Sequence, residues 1–71
     1  MISIEANIEF IEETKNCVDY LQDLGLTGFN FSVAESNAFV FPEWISRTNM
    51  VRYLESQTAP LFWGDLYARV V

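Results

Sequence analysis

The longest periodic segment of the chain is NIEFIEETKNCVDYLQDL, residues 7–24. At about 100° per residue its apolar side chains fall on one side and its carboxylates on the other, which predicts an amphipathic helix over the whole segment. We expect Asn7 to cap this helix, Glu9 to suit the positive end of its dipole, and Gly25 to end it in the left-handed conformation. The predicted buried face consists of Phe10, Ile11, Thr14, Cys17, Val18, Leu21 and Leu24.

The other side of this predicted helix is acidic. Residues 1–25 hold six carboxylates and a single base, Lys15, so they carry a formal charge of −5 out of −6 for all 71 residues. Steps of three and four along a helix place neighbouring carboxylates about 5–6 Å apart, near the spacing of phosphates along a nucleic-acid strand. The predicted acidic stripe is Glu5 (if the helix reaches back that far), Glu9, Glu12, Glu13, Asn16, Asp19 and Asp23.

This stripe has two interpretations. A charged helix face is most often solvated and keeps an apolar protein in solution. Alternatively it binds a basic surface, because solvated helices usually intersperse several lysines among their carboxylates and this one has only Lys15. The same charge disfavours direct contact with nucleic acid or an anionic membrane. The candidate partner-binding residues are Glu5, Glu9, Glu12, Glu13, Asp19, Tyr20 on the same face, Asp23, and Trp63 from a second, aromatic cluster.

The rest of the chain predicts a single α+β domain over residues 1–71. Residues 1–6 alternate apolar with polar side chains, so they form either a short strand or an irregular lead-in to the helix. Alternation on both sides of Glu35–Ser36–Asn37 predicts a hairpin over residues 29–41, with Asn37 supplying the left-handed residue of a three-residue loop. In that register Phe29, Phe31, Val33, Phe39 and Phe41 line one face.

A second helix is predicted over residues 43–57, with Pro42 near its first turn and Ala59–Pro60 after its end. Whether it breaks near residues 46–48 stays open at this point. Residues 66–71 are rich in β-forming side chains and predict a final strand. The two helices, the hairpin and this strand are expected to pack in two layers. Of the aromatic residues Trp44, Phe62, Trp63 and Tyr67, we expect most in the core and Trp63 partly exposed.

Composition limits the environment of the protein. Hydrophobic residues make up 51% of the chain, but so small a domain buries only about 60% of its unfolded surface. Some apolar side chains are therefore expected to stay exposed. A homodimer in which Val70–Val71 extends a sheet across two chains is expected to cover part of them. The chain begins with Met1, and we expect a complete small protein without a signal peptide or a membrane span. Its one cysteine excludes an internal disulfide, which favours the cytoplasm of a bacterium or of an infected host cell.

Catalysis is not expected. The chain has no histidine, one cysteine and three separated glycines, so the commonest general base, a thiolate zinc site and a phosphate-binding glycine loop are all missing. Carboxylate pairs such as Glu9 with Glu13 lie on an exposed helix instead of in a cleft. Cys17, on the predicted apolar face, is interpreted as a small buried side chain. We therefore expect no catalytic residue, no metal and no cofactor.

These observations favour a small acidic protein-binding inhibitor. It would occlude the basic surface of a nucleic-acid-binding protein such as a nuclease, a CRISPR effector or a polymerase. The format, a short acidic α+β chain, is common among phage-encoded anti-defence proteins, including anti-CRISPR proteins. Two alternatives stay open: an immunity or antitoxin-like neutraliser of a basic toxin, and a structural subunit of a homo- or hetero-oligomer.

Overall fold

The computed structural model describes residues 1–34, 36, 38–58 and 61–71. The elements in chain order are β1 (Ile2–Asn7), a 3-10 turn (Ile8–Phe10), α1 (Ile11–Asp23), β2 (Gly28–Val33), α2 (Arg47–Glu55) and β3 (Trp63–Arg69). The predicted α+β class and the order of its helices and strands are confirmed. The first residues form a strand, so the alternative of an irregular lead-in is excluded.

The three strands form one antiparallel sheet in the order β1-β3-β2. The last strand of the chain therefore lies in the middle, where Leu66 has Ile4 on one side and Phe31 on the other. It begins three residues earlier than predicted, at Trp63, and ends at Arg69. Because β3 is central, it has no free edge, and Val70–Val71 lie beyond its last residue; the homodimer expected through Val70–Val71 stays a prediction.

One face of the sheet carries the core. Along β3, the buried residues Gly64, Leu66 and Ala68 alternate with more exposed ones, as a half-buried strand requires. Both helices contribute to the same cluster, which therefore joins them to this face. Its buried members are Ala6, Val18, Leu21, Phe29, Phe31, Met50, Leu54, Phe62, Leu66 and Ala68.

Helix α1 begins at Ile11, four residues later than predicted, and its predicted apolar face is only partly buried. Asn7 caps the preceding 3-10 turn instead, and Gly25 follows the helix in the left-handed conformation as predicted. The Asn7 side chain accepts a hydrogen bond from the Glu9 N–H at 3.0 Å, and Gly25 has φ +95. Phe10 and Leu24 are about half exposed, at 52% and 57%. Cys17 is exposed as well, so its interpretation as a buried side chain is wrong.

The exposure of Cys17 follows from where α2 lies. Two ion pairs join α2 to Lys15 and Asp19, and both residues are half-buried. The buried arc of α1 is therefore turned towards α2, and Cys17 lies on the side turned away. The position of the second helix, which the periodicity of α1 does not specify, sets this rotation.

The chain reverses after β2, as the predicted hairpin requires, but the returning residues 38–41 are not a strand. The Val40 N–H donates to the Phe31 carbonyl at 2.7 Å, and both amide atoms of the Asn30 side chain bond to the backbone of Phe41. Val33 pairs with Gly64 and so stays on the face of Phe29 and Phe31, but Phe39 packs on Tyr67 on the opposite face, so the five predicted apolar residues do not form one face. Two residues of the predicted loop, Glu35 and Asn37, lie outside the described residues.

Helix α2 begins at Arg47, four residues later than predicted. The Phe29 N–H donates to the Ile45 carbonyl and the Ile45 N–H donates to the Phe29 carbonyl, both at 2.8 Å. This exchange holds Ile45 in an extended conformation beside β2, so the helix has to start after it, with Ser46 as N-cap. Pro42 therefore lies well before the first turn. The predicted stop at Ala59–Pro60 lies outside the described residues.

Candidate protein-binding surfaces

The predicted acidic stripe is not one continuous row. Glu5 lies in β1 and Glu9 in the 3-10 turn, so neither belongs to α1. Asp19 is half-buried and forms an ion pair with Arg47 of α2. The Lys15 ammonium group lies 3.2 Å from Glu12 Oε1 and 3.0 Å from Glu55 Oε2. The predicted row is therefore divided among three elements, and two of its carboxylates are neutralised within the chain.

The two bases at the boundary of α1 and α2 have a structural role. Lys15 bridges carboxylates of both helices, and its pKa lies above the ordinary 10.5 because of its hydrogen bonds, first to Glu55 and second to Glu12. Arg47 donates from Nε to Asp19 Oδ1. These contacts fix the α1–α2 boundary and leave little positive charge there for an outside anion.

What remains of the stripe is the outer face of α1, which we define as Glu13, Asn16, Cys17, Tyr20 and Asp23. All five side chains are exposed. Tyr20 is 64% exposed and lies one turn after Asn16 and two turns after Glu13. Among the described residues, neither Glu13 nor Asp23 forms an ion pair. This face therefore combines uncompensated negative charge with one aromatic side chain.

A second candidate surface is a groove at the end of the sheet, with a volume of about 320 Å³. It is lined by Glu5, Asn7, Ile8, Glu9, Leu61, Phe62 and Trp63. The Ile8 N–H donates to the Phe62 carbonyl at 2.9 Å, so the sheet continues beneath the groove. Two of its lining side chains are apolar and open to solvent: Leu61 is 87% exposed and Trp63 is 39% exposed.

The groove brings together residues that the sequence placed in separate features. Glu5 and Glu9 belonged to the predicted stripe and Trp63 to the aromatic cluster, yet all three line this one groove. Asn7 pairs with Trp63 and Glu5 pairs with Asp65 across β1 and β3. These four side chains therefore lie on the sheet face that points away from the helices. Asp65 was missed by sequence reasoning, because only the strand register places it beside Glu5.

The β2 side of this sheet face is covered by the chain itself. The Phe39 ring lies 5.1 Å from Tyr67 and 5.4 Å from Trp44, and the Arg69 guanidinium lies 5.0 Å above the Trp44 ring. Segment 38–44 thus covers the β2 side of the face and leaves the β1 side open. Trp63 is 39% exposed, as expected, but of the other three aromatic residues only Phe62 belongs to the core, whereas Trp44 and Tyr67 are half-buried on the opposite face of the sheet, so the expectation that most of them lie in the core is wrong.

No cluster of metal ligands and no membrane-crossing helix is found in the described part of the chain. There, no group of three or more histidine, cysteine, aspartate or glutamate side chains is arranged to hold a metal ion. Within the same residues, neither helix has the length and apolar character needed to cross a bilayer.

Comparison of the chain with family models, with curated proteins and with solved structures gives no significant match. The two candidate surfaces are therefore the features that bear on function.

Proposed function

We propose that this protein is a non-enzymatic inhibitor that binds a nucleic-acid-binding protein and masks the basic surface with which that partner holds nucleic acid. The observation that carries the proposal is the outer face of α1, where Glu13 and Asp23 are exposed and form no ion pair among the described residues. Such a face attracts surfaces rich in lysine and arginine and repels nucleic acid itself.

Tyr20 gives this charged face an aromatic anchor. Exposed charge pairs each contribute only about 0–1 kcal/mol, so they steer association more than they hold a complex together. Tyrosine is a frequent anchor at protein interfaces because it buries a large ring and keeps a hydroxyl for hydrogen bonding. With Tyr20 64% exposed between the carboxylates, the face has both a steering element and an anchor.

The proposed setting is the cytoplasm of a bacterium or of an infected host cell, as for a phage anti-defence or anti-CRISPR protein. A neutraliser of a basic toxin would use the same face, and the identity of the partner separates the two. The exposed apolar side chains of Leu61, Phe39 and Val40 favour one further candidate, a structural subunit of a homo- or hetero-oligomer. A stable oligomer of the pure protein in sedimentation would support that candidate.

The proposal is tested with two variants of equal net charge. Glu13→Gln with Asp23→Asn removes two carboxylates from the outer face of α1. Glu43→Gln with Glu55→Gln removes two exposed carboxylates elsewhere; since it also breaks the Lys15–Glu55 pair between the helices, circular dichroism checks that this variant stays folded. Wild type and both variants are used as baits for capture from cell lysate, with quantitative mass spectrometry of the bound proteins.

We expect the wild type and the second variant to capture the same basic nucleic-acid-binding protein, and the first variant to retain about fivefold less of it. Addition of the wild-type protein should then displace a labelled nucleic acid from the purified partner. Equal capture by both variants, or a captured partner that still binds nucleic acid in the complex, would contradict the proposal.

A further inference from the structure

The two edges of the sheet differ in their hydrogen bonding. At β2, the Phe29 N–H and carbonyl both bond to Ile45, and the Phe31 carbonyl accepts from the Val40 N–H. The Phe31 N–H donates to Asn30 Oδ1, and the Val33 carbonyl accepts from the Ser36 N–H. Apart from the Val33 N–H, the outward backbone groups of β2 are therefore occupied by the chain itself, which closes this edge to other strands.

At β1 the corresponding groups are free. The Ile8 N–H donates to the Phe62 carbonyl, so Ile8 belongs to a bonded pair. Bonded and non-bonded pairs alternate along an antiparallel ladder. The N–H and carbonyl groups of Glu5 and Ser3, which lie three and five residues before Ile8, therefore point away from β3. Among the described residues no hydrogen bond to these outward groups is found. Ser3 and Glu5 are also exposed, so nothing described covers this edge.

The side chains along β1 define what fits there. On the open face of the sheet, Glu5 stands opposite Asp65, and neither carboxylate has an ion pair among the described residues. Trp63 and Glu9 continue this face into the groove. On the other face, Ile2 is 41% exposed and Ile4 is half-buried. A strand added beside β1 would thus meet negative charge and an aromatic ring on one face and apolar side chains on the other.

We infer that the β1 edge receives an extended segment of a partner protein as a fourth strand, with lysine or arginine at alternate positions over Glu5, Asp65 and Trp63 and with apolar residues between them. The backbone groups of Ser3 and Glu5 would bind any extended chain, and the carboxylates select a basic one. The groove beside Trp63 receives a long cationic side chain, whose stem packs on the ring and whose charge meets Glu5 or Glu9.

A second copy of this chain is a poorer occupant. An antiparallel pairing of two β1 strands about a two-fold axis places Glu5 directly or diagonally opposite its own copy. Asp65 of each copy lies beside it on the same face. The pair would therefore gather four carboxylates with no base between them, whereas a basic strand neutralises the two that are already there.

The inference rests on the proposed function only in taking the partner to be basic, and it is tested with a defined probe. The probe is a capped peptide of alternating lysine and valine. One control has the same residues with all lysines before all valines, and a second carries N-methyl groups on alternate amides so that it cannot bond to a strand edge. Binding is followed by backbone NMR shifts and by amide hydrogen exchange.

At about ten times its dissociation constant, the alternating peptide should slow exchange of the Ser3 and Glu5 amides about tenfold, because only the free fraction exchanges. The two control peptides should have no such effect. Ser3→Pro removes an outward N–H without touching the ladder to β3, and we expect it to abolish binding. Glu5→Gln with Asp65→Asn should weaken binding about fivefold. Circular dichroism checks that each variant is folded.

Glu13→Gln with Asp23→Asn should bind the peptide like the wild type. This variant and Ser3→Pro therefore distinguish an error in the proposed binding at the outer face of α1 from an error in the proposed binding at the β1 edge. The inference would be overturned by equal binding of the N-methylated peptide, by peptide-induced shifts confined to α1, or by undiminished binding to folded Ser3→Pro. A wild-type dimer that Ser3→Pro dissociates would also overturn it, because the occupant would then be a second copy.

Discussion

Glu5 stands directly opposite Asp65 in the pairing of β1 with β3. Two like charges in this position repel each other, and no base among the described residues pairs with either. The arrangement costs stability in the free protein, and an incoming basic side chain would relieve it. The same pair thus links the stability of the sheet to the partner proposed for its open edge.

Glu5→Gln should stabilise the free protein by about 0.2–1 kcal/mol, because it removes the repulsion from Asp65 and keeps the size of the side chain. Urea unfolding at neutral pH and low salt measures this gain. The gain should shrink at high salt, where exposed charges are screened. Glu43→Gln, at an exposed position outside the sheet, is the control. A loss of stability in Glu5→Gln would show that Glu5 makes a favourable contact instead.

Leu21→Ala should lower the free energy of unfolding by about 2–5 kcal/mol, because Leu21 is 7% exposed within the core cluster and its removal leaves a cavity. Cys17→Ala, on the outer face of the same helix, should change it by less than about 0.5 kcal/mol. Denaturant unfolding of both variants compares them. Similar losses would contradict the rotation of α1 described above.

Gly64→Ala should destabilise the protein by about 1–3 kcal/mol. A Cβ atom at this position would collide with the Ser32 carbonyl oxygen and with the Phe31 ring, and that ring stacks on Phe62 at 5.4 Å. Gly28→Ala is the comparison, since its Cβ would meet mainly the Val71 side chain, which is 76% exposed and free to move. Thermal unfolding should rank Gly64→Ala below Gly28→Ala, and the reverse order would contradict the close packing of β3.

Burial raises the pKa of Tyr53 above its ordinary 10.0. The folded state then holds the phenol proton more tightly than the unfolded chain does. This contribution to stability is complete below about pH 10 and is lost as the pH rises through the raised pKa of the folded protein. Tyr53→Phe keeps the ring against Phe31 and Phe41 and should remove this part of the alkaline loss.

Unfolding midpoints measured across the alkaline range check the effect, with Tyr20→Phe as control because Tyr20 is exposed. The absorbance of phenolate should show a late ionisation in wild type that is absent in Tyr53→Phe. An unchanged alkaline titration in Tyr53→Phe would contradict the assignment.

Much of the local structure was predictable because its causes are local. The periodicity of residues 7–24, the cap at Asn7 and the left-handed Gly25 lie within a few residues of the elements they define. Alternation near Phe29 and Phe31 likewise identifies a strand, because side chains on opposite faces of a strand meet different surroundings. The excess of carboxylates in the first 25 residues is a property of composition alone.

The pairing of the strands was decided by tertiary contacts. The sequence favoured a local hairpin for β2, but β2 pairs with β3, and the side chain of Asn30 holds the returning segment over the outer edge. Burial of Phe29 and Phe31 requires a strand paired with one edge of β2 and a segment that covers its other edge. No single segment next to β2 in the sequence supplies both.

The sequence by itself determined the class of the fold, the order of its helices and strands and the acidic character of its N-terminal third. The tertiary structure decided which carboxylates are neutralised, through Lys15 and Arg47 at the boundary of the helices, and which remain free. It also decided that Glu5, Asp65 and Trp63 share one face and that β1 keeps an open edge. The physical reason is that periodicity specifies only which side of an element is buried, whereas strand order and helix position specify what lies against it.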